Sequence, residues 1–183
     1  MNLFLILLAA GNSKRLNSST PKPFHIVNNE LLLNHALNSF KNISRIKKTV
    51  IVYNRKHKKY IDKLNFRNTI KIVGGKTRQV STFNALKAIR KMNCTKVLIH
   101  DAARPSPSKN MINKIIYKLK NNHAVIPIIK INDATKRIKK NIIFKNIKRK
   151  SLRFSQTPQG FTFKKLYEKH KKNINLSFDD DSA

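Results

Sequence analysis

Short apolar runs recur along this chain, and patterns typical of helices separate most of them. The runs occupy residues 3–8, 49–53, 69–73, 96–100 and 124–129. Parallel strands need crossover connections of about a dozen residues or more, and helices usually supply them. We therefore predict a three-layer αβα fold in which a mostly parallel, twisted sheet lies between two layers of helices.

Two helices are predicted to turn an apolar stripe toward the core. The first follows Glu30, and its stripe comprises Leu32, Leu33, Ala36, Leu37 and Phe40. The second follows Lys76, and its stripe comprises Val80, Phe83, Ala88, Ile89 and Met92.

A basic stretch, residues 131–160, interrupts this alternation. Within it, short strands that project from the sheet are predicted by Ile142, Ile143, Phe144 and Ile147. The sequence has no internal repeat and no Gly- or Ser-rich joint. We therefore expect a single domain over residues 1–183 that carries this stretch as an arm.

Composition excludes several classes of protein. The 40 Lys and Arg against 8 Asp and Glu give a net charge of +32, but 40% of the 183 residues are hydrophobic. That hydrophobic content is enough for one core and excludes a disordered basic tail. Only 4 Gly and 6 Pro are present, which excludes collagen-like sequence, and no apolar run approaches the length of a membrane span.

The chain's one cysteine bears on its location. Cys94 cannot form an internal disulfide, which suits a reducing compartment, so we expect a cytoplasmic protein with no membrane partner. The apolar opening, residues 3–10, follows only Met1 and Asn2, neither of which is basic. A buried first strand is therefore a better interpretation than a signal peptide.

Small, cationic and acidic residues follow three of the predicted strands. They are residues 9–15 (AAGNSKR), 74–78 (GGKTR) and 100–105 (HDAARP). Ligands of an open α/β sheet bind beyond the carboxyl ends of its strands. Backbone N–H groups, Lys and Arg bind phosphate oxygens, and Asp binds Mg²⁺. The sequence therefore predicts a site for a polyphosphate with a divalent metal.

One segment carries a more specific pattern. Residues 9–24, AAGNSKRLNSSTPKPF, resemble the signature of the sugar-nucleotide-type nucleotidyltransferases, a small-residue loop followed by an Arg and a Pro-Lys pair. With HDAARP, DATKR, TPQGF and DDDSA in that order, the whole chain closely resembles the 2-C-methyl-D-erythritol 4-phosphate cytidylyltransferase family. The resemblance implies a Rossmann-like fold of the nucleotide-diphospho-sugar transferase type. It also implies transfer of a cytidylyl group from CTP to methylerythritol phosphate, with release of pyrophosphate, in non-mevalonate isoprenoid precursor synthesis.

The resemblance also implies roles for individual residues. Catalysis falls to Arg15 and Lys22, and Mg²⁺ binding to Asp101. The nucleotide-binding positions are Ala9, Ala10, Gly11, Gly75 and Ser81. The substrate-binding positions are Arg104, Asp133, Lys136, Arg137 and Arg149. The last four lie on the arm, and in the family the arm serves the neighbouring subunit, so a homodimer with shared active sites is expected.

The sequence departs from the family pattern at Leu8, where Pro is common, at Ala134, where Thr is common, and in two further places. Lys76 stands where an acidic residue is frequent, and family chains continue past the acidic run through a further strand with an N-x-K motif. The resemblance therefore implies that the family's last strand and helix are absent here, and that this chain alone could bind CTP poorly. The run itself, residues 179–181, is either a disordered cluster or a structural cap.

Other functions remain open on the sequence. A +32 charge favours salt-sensitive binding of nucleic acid, but the cations are spread from Lys14 to Lys172 and no nucleic-acid recognition motif accompanies them. We therefore expect no specific nucleic-acid partner. A cytidylyltransferase for ribitol 5-phosphate would share the nucleotide half of the site, and an inactive fragment is a further alternative.

Overall fold

The computed structural model describes residues 1–11, 20–64, 66, 68–174, 176, 178 and 180–182. The strands are β1 (Leu3–Ala9), β2 (Ile26–Val27), β3 (Glu30–Leu31), β4 (Ile46–Tyr53), β5 (Thr69–Val73), β6 (Lys96–Asp101), β7 (Ala124–Val125), β8 (Ile128–Lys130), β9 (Thr135–Lys139), β10 (Ile142–Ile147), β11 (Arg153–Ser155) and β12 (Gln159–Thr162). The α-helices are α1 (Leu32–Lys41), α2 (Lys58–Asp62), α3 (Arg78–Ile89), α4 (Lys109–Lys118) and α5 (Phe163–Lys172). Short 3₁₀ helices form at Lys22–Phe24, Arg55–His57 and Arg149–Ser151.

Six strands form the central sheet, in the order β5-β4-β1-β6-β12-β7. The first four strands in that order pair in parallel, and β12 pairs antiparallel with both β6 and β7. Strand β1 lies at the centre and is buried along nearly its whole length, as expected of a parallel strand that is covered on both faces. The predicted mostly parallel sheet is confirmed.

Successive side chains of β1 point to opposite faces of the sheet, and helices cover both faces. On one face, Phe4 and Ile6 pack with buried residues of α3 and α5. On the other face, Leu3, Leu5 and Leu7 pack with buried residues of α1 and α4. The three-layer prediction is therefore confirmed, and the layers fix the carboxyl ends of the parallel strands at one edge.

One predicted strand is divided in the structure. Residues 124–129 form β7 and β8 separately, and these two strands belong to different sheets. Pro127 lies between them, and a proline has no N–H with which to continue a ladder of hydrogen bonds. The prediction of one continuous strand is wrong for this reason.

The predicted core stripe of α3 is only partly confirmed: of its five residues, Ile89 is buried. Its buried side chains are Gln79, Ser81, Thr82, Ala85, Leu86 and Ile89, whereas Met92 lies beyond the helix and is 38% exposed. Phe83 turns toward α5, where its ring lies 5.6 Å from that of Tyr167. The spacing of apolar residues predicted the wrong core-facing side of α3, because polar side chains near the start of the helix are buried. For α1 the prediction holds, with Leu33, Ala36, Leu37 and Phe40 buried.

Residues 128–155 lie outside the central sheet and form two antiparallel pairs, β8 with β11 and β9 with β10. We call residues 128–155 the arm. It overlaps the predicted arm, but Gln159 and Gly160 belong to β12 of the central sheet. The predicted strand at Ile142–Ile147 is present, and most of its side chains are exposed. Among the described residues, no helix combines the length and the apolar character needed to cross a membrane.

Candidate active site

A crevice of about 960 Å³ opens beyond the carboxyl ends of β1, β5 and β6. Its lining includes Leu8, Ala10, Gly11, Lys22, Pro23, Asn54, Gly74, Gly75, Lys76, Thr77, Arg78, Ser81, Asp101, Ala103 and Arg104. This is the edge at which ligands of an α/β sheet bind. Seven residues singled out in the sequence therefore share one cavity: Ala10, Gly11, Lys22, Gly75, Ser81, Asp101 and Arg104. Ala9 is fully buried at the end of β1 and does not line the cavity.

The loop between β5 and α3 is tightly built. The Gly75 N–H donates to the Ser81 hydroxyl at 3.0 Å, and that hydroxyl donates to the Thr77 carbonyl at 2.8 Å. A Cβ atom on Gly74 would lie 2.6 Å from the Ala10 Cβ, and one on Gly75 would lie 2.1 Å from a methyl carbon of Val80. Only glycine fits at both positions. Ser81 is 3% exposed, so its hydroxyl organises the loop.

Lys22 is exposed at the rim of the crevice, at the start of the 3₁₀ helix Lys22–Phe24. The two residues that follow it are buried. The Phe24 ring stacks on that of Tyr60, with centroids 4.7 Å apart and planes 12° apart. Buried neighbours therefore fix the backbone from which the ammonium group reaches the crevice.

Asp101 ends β6, and each of its carboxylate oxygens accepts a bond from a guanidinium group. Arg78 Nη2 lies 3.3 Å from Oδ1, and Arg104 Nε lies 3.1 Å from Oδ2. Arg104 also donates to the Gln156 side chain at 2.5 Å. Burial lowers the pKa of Arg78, but the charges of Asp181 and Asp101 outweigh it and the pKa is raised. The carboxylate is 30% exposed toward the crevice.

His100, one residue earlier, is 1% exposed and is fully bonded. Its Nε2 lies 2.8 Å from the Arg104 carbonyl, which can only accept, so Nε2 carries the proton. Nδ1 then accepts from the Thr157 hydroxyl at 2.9 Å. Burial lowers the pKa of His100 to about 4. His100 is therefore a packing group and is poorly placed to act as a general base.

Part of the acidic C-terminal run is anchored beneath the crevice. The Asp181 side chain is 1% exposed, accepts a bond from Arg78, and lies 3.3 Å from His170 Nε2. Asp180 accepts from Gln159 at 3.0 Å and from the Ser182 backbone at 2.8 Å. Burial raises the pKa of Asp180, but hydrogen bonds led by that of Ser155 outweigh it and bring the pKa to about 2. These two residues fit the structural-cap interpretation; Asp179 lies outside the described residues.

Other predicted residues lie elsewhere. Arg15 falls in the segment 12–19, outside the described residues. Asp133, Lys136, Arg137 and Arg149 are exposed on the arm, and the crevice lining does not include them. Lys136 donates to the Asn146 side chain at 2.5 Å, and Arg149 donates to the Asn132 carbonyl. Within the described part of a single chain, Lys136 and Arg149 are therefore bonded to their own arm.

The side chains that line the crevice indicate how a metal ion could bind there. Among the described residues, no three His, Cys, Asp or Glu side chains are grouped to hold a metal ion. Asp101 is the one described carboxylate in the crevice lining. Mg²⁺ commonly binds through one or two carboxylates together with substrate phosphates and water. This donor set fits a cation that arrives with a polyphosphate.

Two residues that shape the site, Arg78 and Asp181, had no predicted role in it. Arg78 appeared only as part of the GGKTR loop, yet it bonds the candidate metal ligand. Asp181 lies 103 positions from Arg78, its bonding partner, and no local pattern indicates that pairing. The one available signal was composition: with 8 carboxylates against 40 cations, each carboxylate is expected to pair with a Lys or Arg side chain.

Comparisons with known proteins agree with one another. Residues 3–183 match the family of 2-C-methyl-D-erythritol 4-phosphate cytidylyltransferase, IspD. The bifunctional enzyme IspD/IspF of Pelagibacter ubique is 47% identical over 169 residues, which cover 92% of this chain and 45% of that protein. The 2-C-methyl-D-erythritol 4-phosphate cytidylyltransferase of Bacillus cytotoxicus is 31% identical over 91% of this chain and 75% of its own length.

A solved structure is similar over nearly the whole chain. The 4-diphosphocytidyl-2C-methyl-D-erythritol synthase of Anaerococcus prevotii superposes with a TM-score of 0.84 at 28% identity. The match covers 99% of this chain and 79% of that structure. The chain thus spans less than half of the bifunctional Pelagibacter relative and about three quarters of the single-function relatives.

Proposed function

The chain belongs to the 2-C-methyl-D-erythritol 4-phosphate cytidylyltransferase family, and on that premise we propose that it transfers the cytidylyl group of CTP to 2-C-methyl-D-erythritol 4-phosphate. A phosphate oxygen of the acceptor attacks the α-phosphorus of CTP. The bond from that phosphorus to the bridging oxygen of the β-phosphate breaks, and pyrophosphate leaves with the electron pair. The products are CDP-methylerythritol and pyrophosphate.

One observation carries this proposal: a glycine-lined crevice holds a lysine and a carboxylate at the carboxyl ends of three parallel strands. Gly74 and Gly75 let their loop pack closely against Ala10 and Val80, and both line the crevice. Lys22 would neutralise charge on the phosphoryl oxygens as it develops, and Arg15, which the family resemblance assigns to catalysis, would share this role. No covalent enzyme intermediate is needed, because positioning and charge neutralisation suffice for this displacement.

Asp101 would hold Mg²⁺ together with oxygens of the triphosphate. When bound, the ion neutralises phosphate charge and orients the triphosphate. The chain's own part is to present one carboxylate at the crevice and to keep Arg104 beside it, 3.1 Å away. Arg104 also lines the crevice and, as the family resemblance implies, would contact the acceptor.

The arm supports a homodimer. Its exposed apolar side chains include Ile138, Ile142, Ile143 and Phe144, each more than 60% exposed, and pairing with a second copy would remove them from water. In such a pair, Asp133, Lys136, Arg137 and Arg149 would serve the crevice of the other subunit. Two inactive variants test this sharing: mixing Lys22→Ala with Arg149→Ala should restore activity in the heterodimer, whereas separate sites would stay inactive.

We assign the reaction to the cytoplasm, where CTP is available. The chain's single cysteine, Cys94, is buried, and burial raises its pKa to about 12. Such a thiol is unreactive and is compatible with a reducing compartment.

The test is pyrophosphate release from CTP with Mg²⁺ and one acceptor at a time. Methylerythritol phosphate should give turnover, and Lys22→Ala should reduce kcat by about 100-fold or more. Lys114→Ala on α4, an exposed lysine outside the crevice lining, is the matched control and should act as the wild type. Release with ribitol 5-phosphate alone would change the substrate assignment. Release with neither acceptor, together with salt-sensitive DNA binding, would overturn the enzymatic function.

A further inference from the structure

Arg78, the first residue of α3, bridges two carboxylates that lie far apart in the chain. One of its terminal nitrogens bonds Asp101 at the crevice, and the other bonds Asp181 in the C-terminal segment. The sequence separations are 23 and 103 residues. A planar guanidinium with donors on two sides can hold two carboxylates at once, which a lysine ammonium on a flexible stem does poorly.

The two ends of this bridge are unequally buried. The Asp181 side chain is 1% exposed and faces His170 as well as Arg78, whereas Asp101 is 30% exposed. A buried carboxylate that loses its cation is strongly destabilised, so Asp181 holds Arg78 firmly in place. Arg78 therefore lines the crevice while its guanidinium group is held by the buried Asp181.

The two oxygens of Asp101 are held differently. Oδ1 faces the anchored Arg78, whereas Oδ2 faces Arg104. Arg104 lies in the turn after β6, and its side chain is 47% exposed. Arg104 can leave Oδ2 at little cost, because an exposed ion pair contributes little to stability. Oδ2 is therefore the oxygen open to exchange, while Arg78 keeps the carboxylate plane fixed through Oδ1.

We propose that Arg78, anchored by Asp181, is a positioning residue that orients the Asp101 carboxylate for a divalent cation bound with the nucleotide. This inference rests on the proposed function. It assigns Asp181, in the acidic C-terminal run, a role in the site through Arg78. Groups that orient a metal ligand commonly affect metal affinity by about tenfold or more when they are removed.

The test measures Mn²⁺ binding in the presence of CTP by electron paramagnetic resonance, without turnover. Asp181→Asn should weaken Mn²⁺ binding by about tenfold. The matched control is Asp180→Asn, since Asp180 bonds Gln159 and Ser182, and it should stay within about twofold of the wild type. Denaturant unfolding of each variant reports separately whether the fold is kept.

A second variant and a double variant complete the test. Arg78→Lys leaves a cation beside Asp181 but cannot bridge both carboxylates, and it should also weaken Mn²⁺ binding by about tenfold. Adding Asp181→Asn to Arg78→Lys should cause little further loss, because both act through one side chain. If Asp181→Asn fails to fold, Arg78→Lys decides the matter alone.

The outcomes separate this inference from the proposed function. Folded variants that bind Mn²⁺ with CTP as tightly as the wild type would overturn the positioning role and leave Asp181 as an anchor of the C-terminal segment. A wild-type protein that binds no CTP with Mn²⁺ would instead overturn the proposed function, and this inference with it.

Discussion

The Thr157 hydroxyl donates to His100 Nδ1 over 2.9 Å, across 57 residues of sequence. Thr157 follows the arm, and His100 directly precedes the candidate metal ligand. The same hydroxyl oxygen lies 3.4 Å from the Asp101 backbone nitrogen, which donates to it. The buried bond between Thr157 and His100 joins the end of β6 to the segment that follows the arm. It therefore links the arm to the crevice.

Removing that hydroxyl should destabilise the protein. Thr157→Val leaves His100 Nδ1 buried without a donor, and we expect a loss of about 1–3 kcal/mol in the free energy of unfolding. Urea unfolding provides the measurement. Thr135→Val is the control, since its hydroxyl makes a long, exposed contact of 3.5 Å with the Asp133 carbonyl. Equal losses in the two variants would contradict the assigned bond.

Stability should also depend on pH through His100. The folded pKa of about 4 lies below the ordinary value of 6.5 because of burial, so the unfolded chain takes up this proton first. The contribution is complete above about pH 6.5 and is lost as pH falls toward 4, by about 3 kcal/mol. His100→Gln should lower stability at pH 7.5 but flatten its decline over this window. An unchanged decline in that variant would contradict this origin.

The glycine loop yields a stability prediction with an internal control. Gly74→Ala would force its Cβ to 2.6 Å from the Ala10 Cβ, and the strain should cost about 1–3 kcal/mol. Among the described residues, a Cβ on Gly11 would meet no heavy atom within 4 Å, so Gly11→Ala should change stability by less than about 0.5 kcal/mol. Urea midpoints would decide, and an equally stable Gly74→Ala would refute the close approach.

The β9–β10 hairpin of the arm contains two like charges opposite each other, and a substitution can remove their repulsion. Arg137 lies directly opposite Lys145 in the β9–β10 register, and like charges opposite each other destabilise a sheet. Lys145→Glu should therefore stabilise this hairpin by about 0.2–1 kcal/mol and slow its amide hydrogen exchange accordingly. Lys140→Glu, at the turn between the strands, should slow it less. Faster exchange in Lys145→Glu would contradict the register.

Local sequence patterns predicted much of the fold. The apolar run of β1 and the glycines at 74 and 75 are features that a few neighbouring residues specify, and both lie where they were expected. The errors arose where position depends on the rest of the fold. Pro127 divides a run that apolar content alone would join, and the buried Ser81 and Thr82 give α3 a core face that hydrophobicity does not reveal.

In the candidate site, too, features encoded by neighbouring residues were predicted and features that depend on the rest of the fold were not. Lys22 and Asp101 were predicted because each sits in a short motif beside a strand or loop, and they share the crevice. The bond between Arg78 and Asp181 depends on where the C-terminal segment returns, and nothing near either residue encodes it. The arm residues illustrate a further limit, because their proposed site needs a second copy of the chain.

Phosphorus-31 NMR of a reaction containing CTP, Mg²⁺ and methylerythritol phosphate tests the central claim most directly, because it observes the bond that forms. We expect two coupled diphosphate signals from the new linkage between the α-phosphorus of CTP and the acceptor phosphate, together with free pyrophosphate. The Lys22→Ala variant should give these signals about 100-fold more slowly or worse. A spectrum in which CTP and the acceptor stay unchanged, or in which only CMP and pyrophosphate appear, would contradict the account.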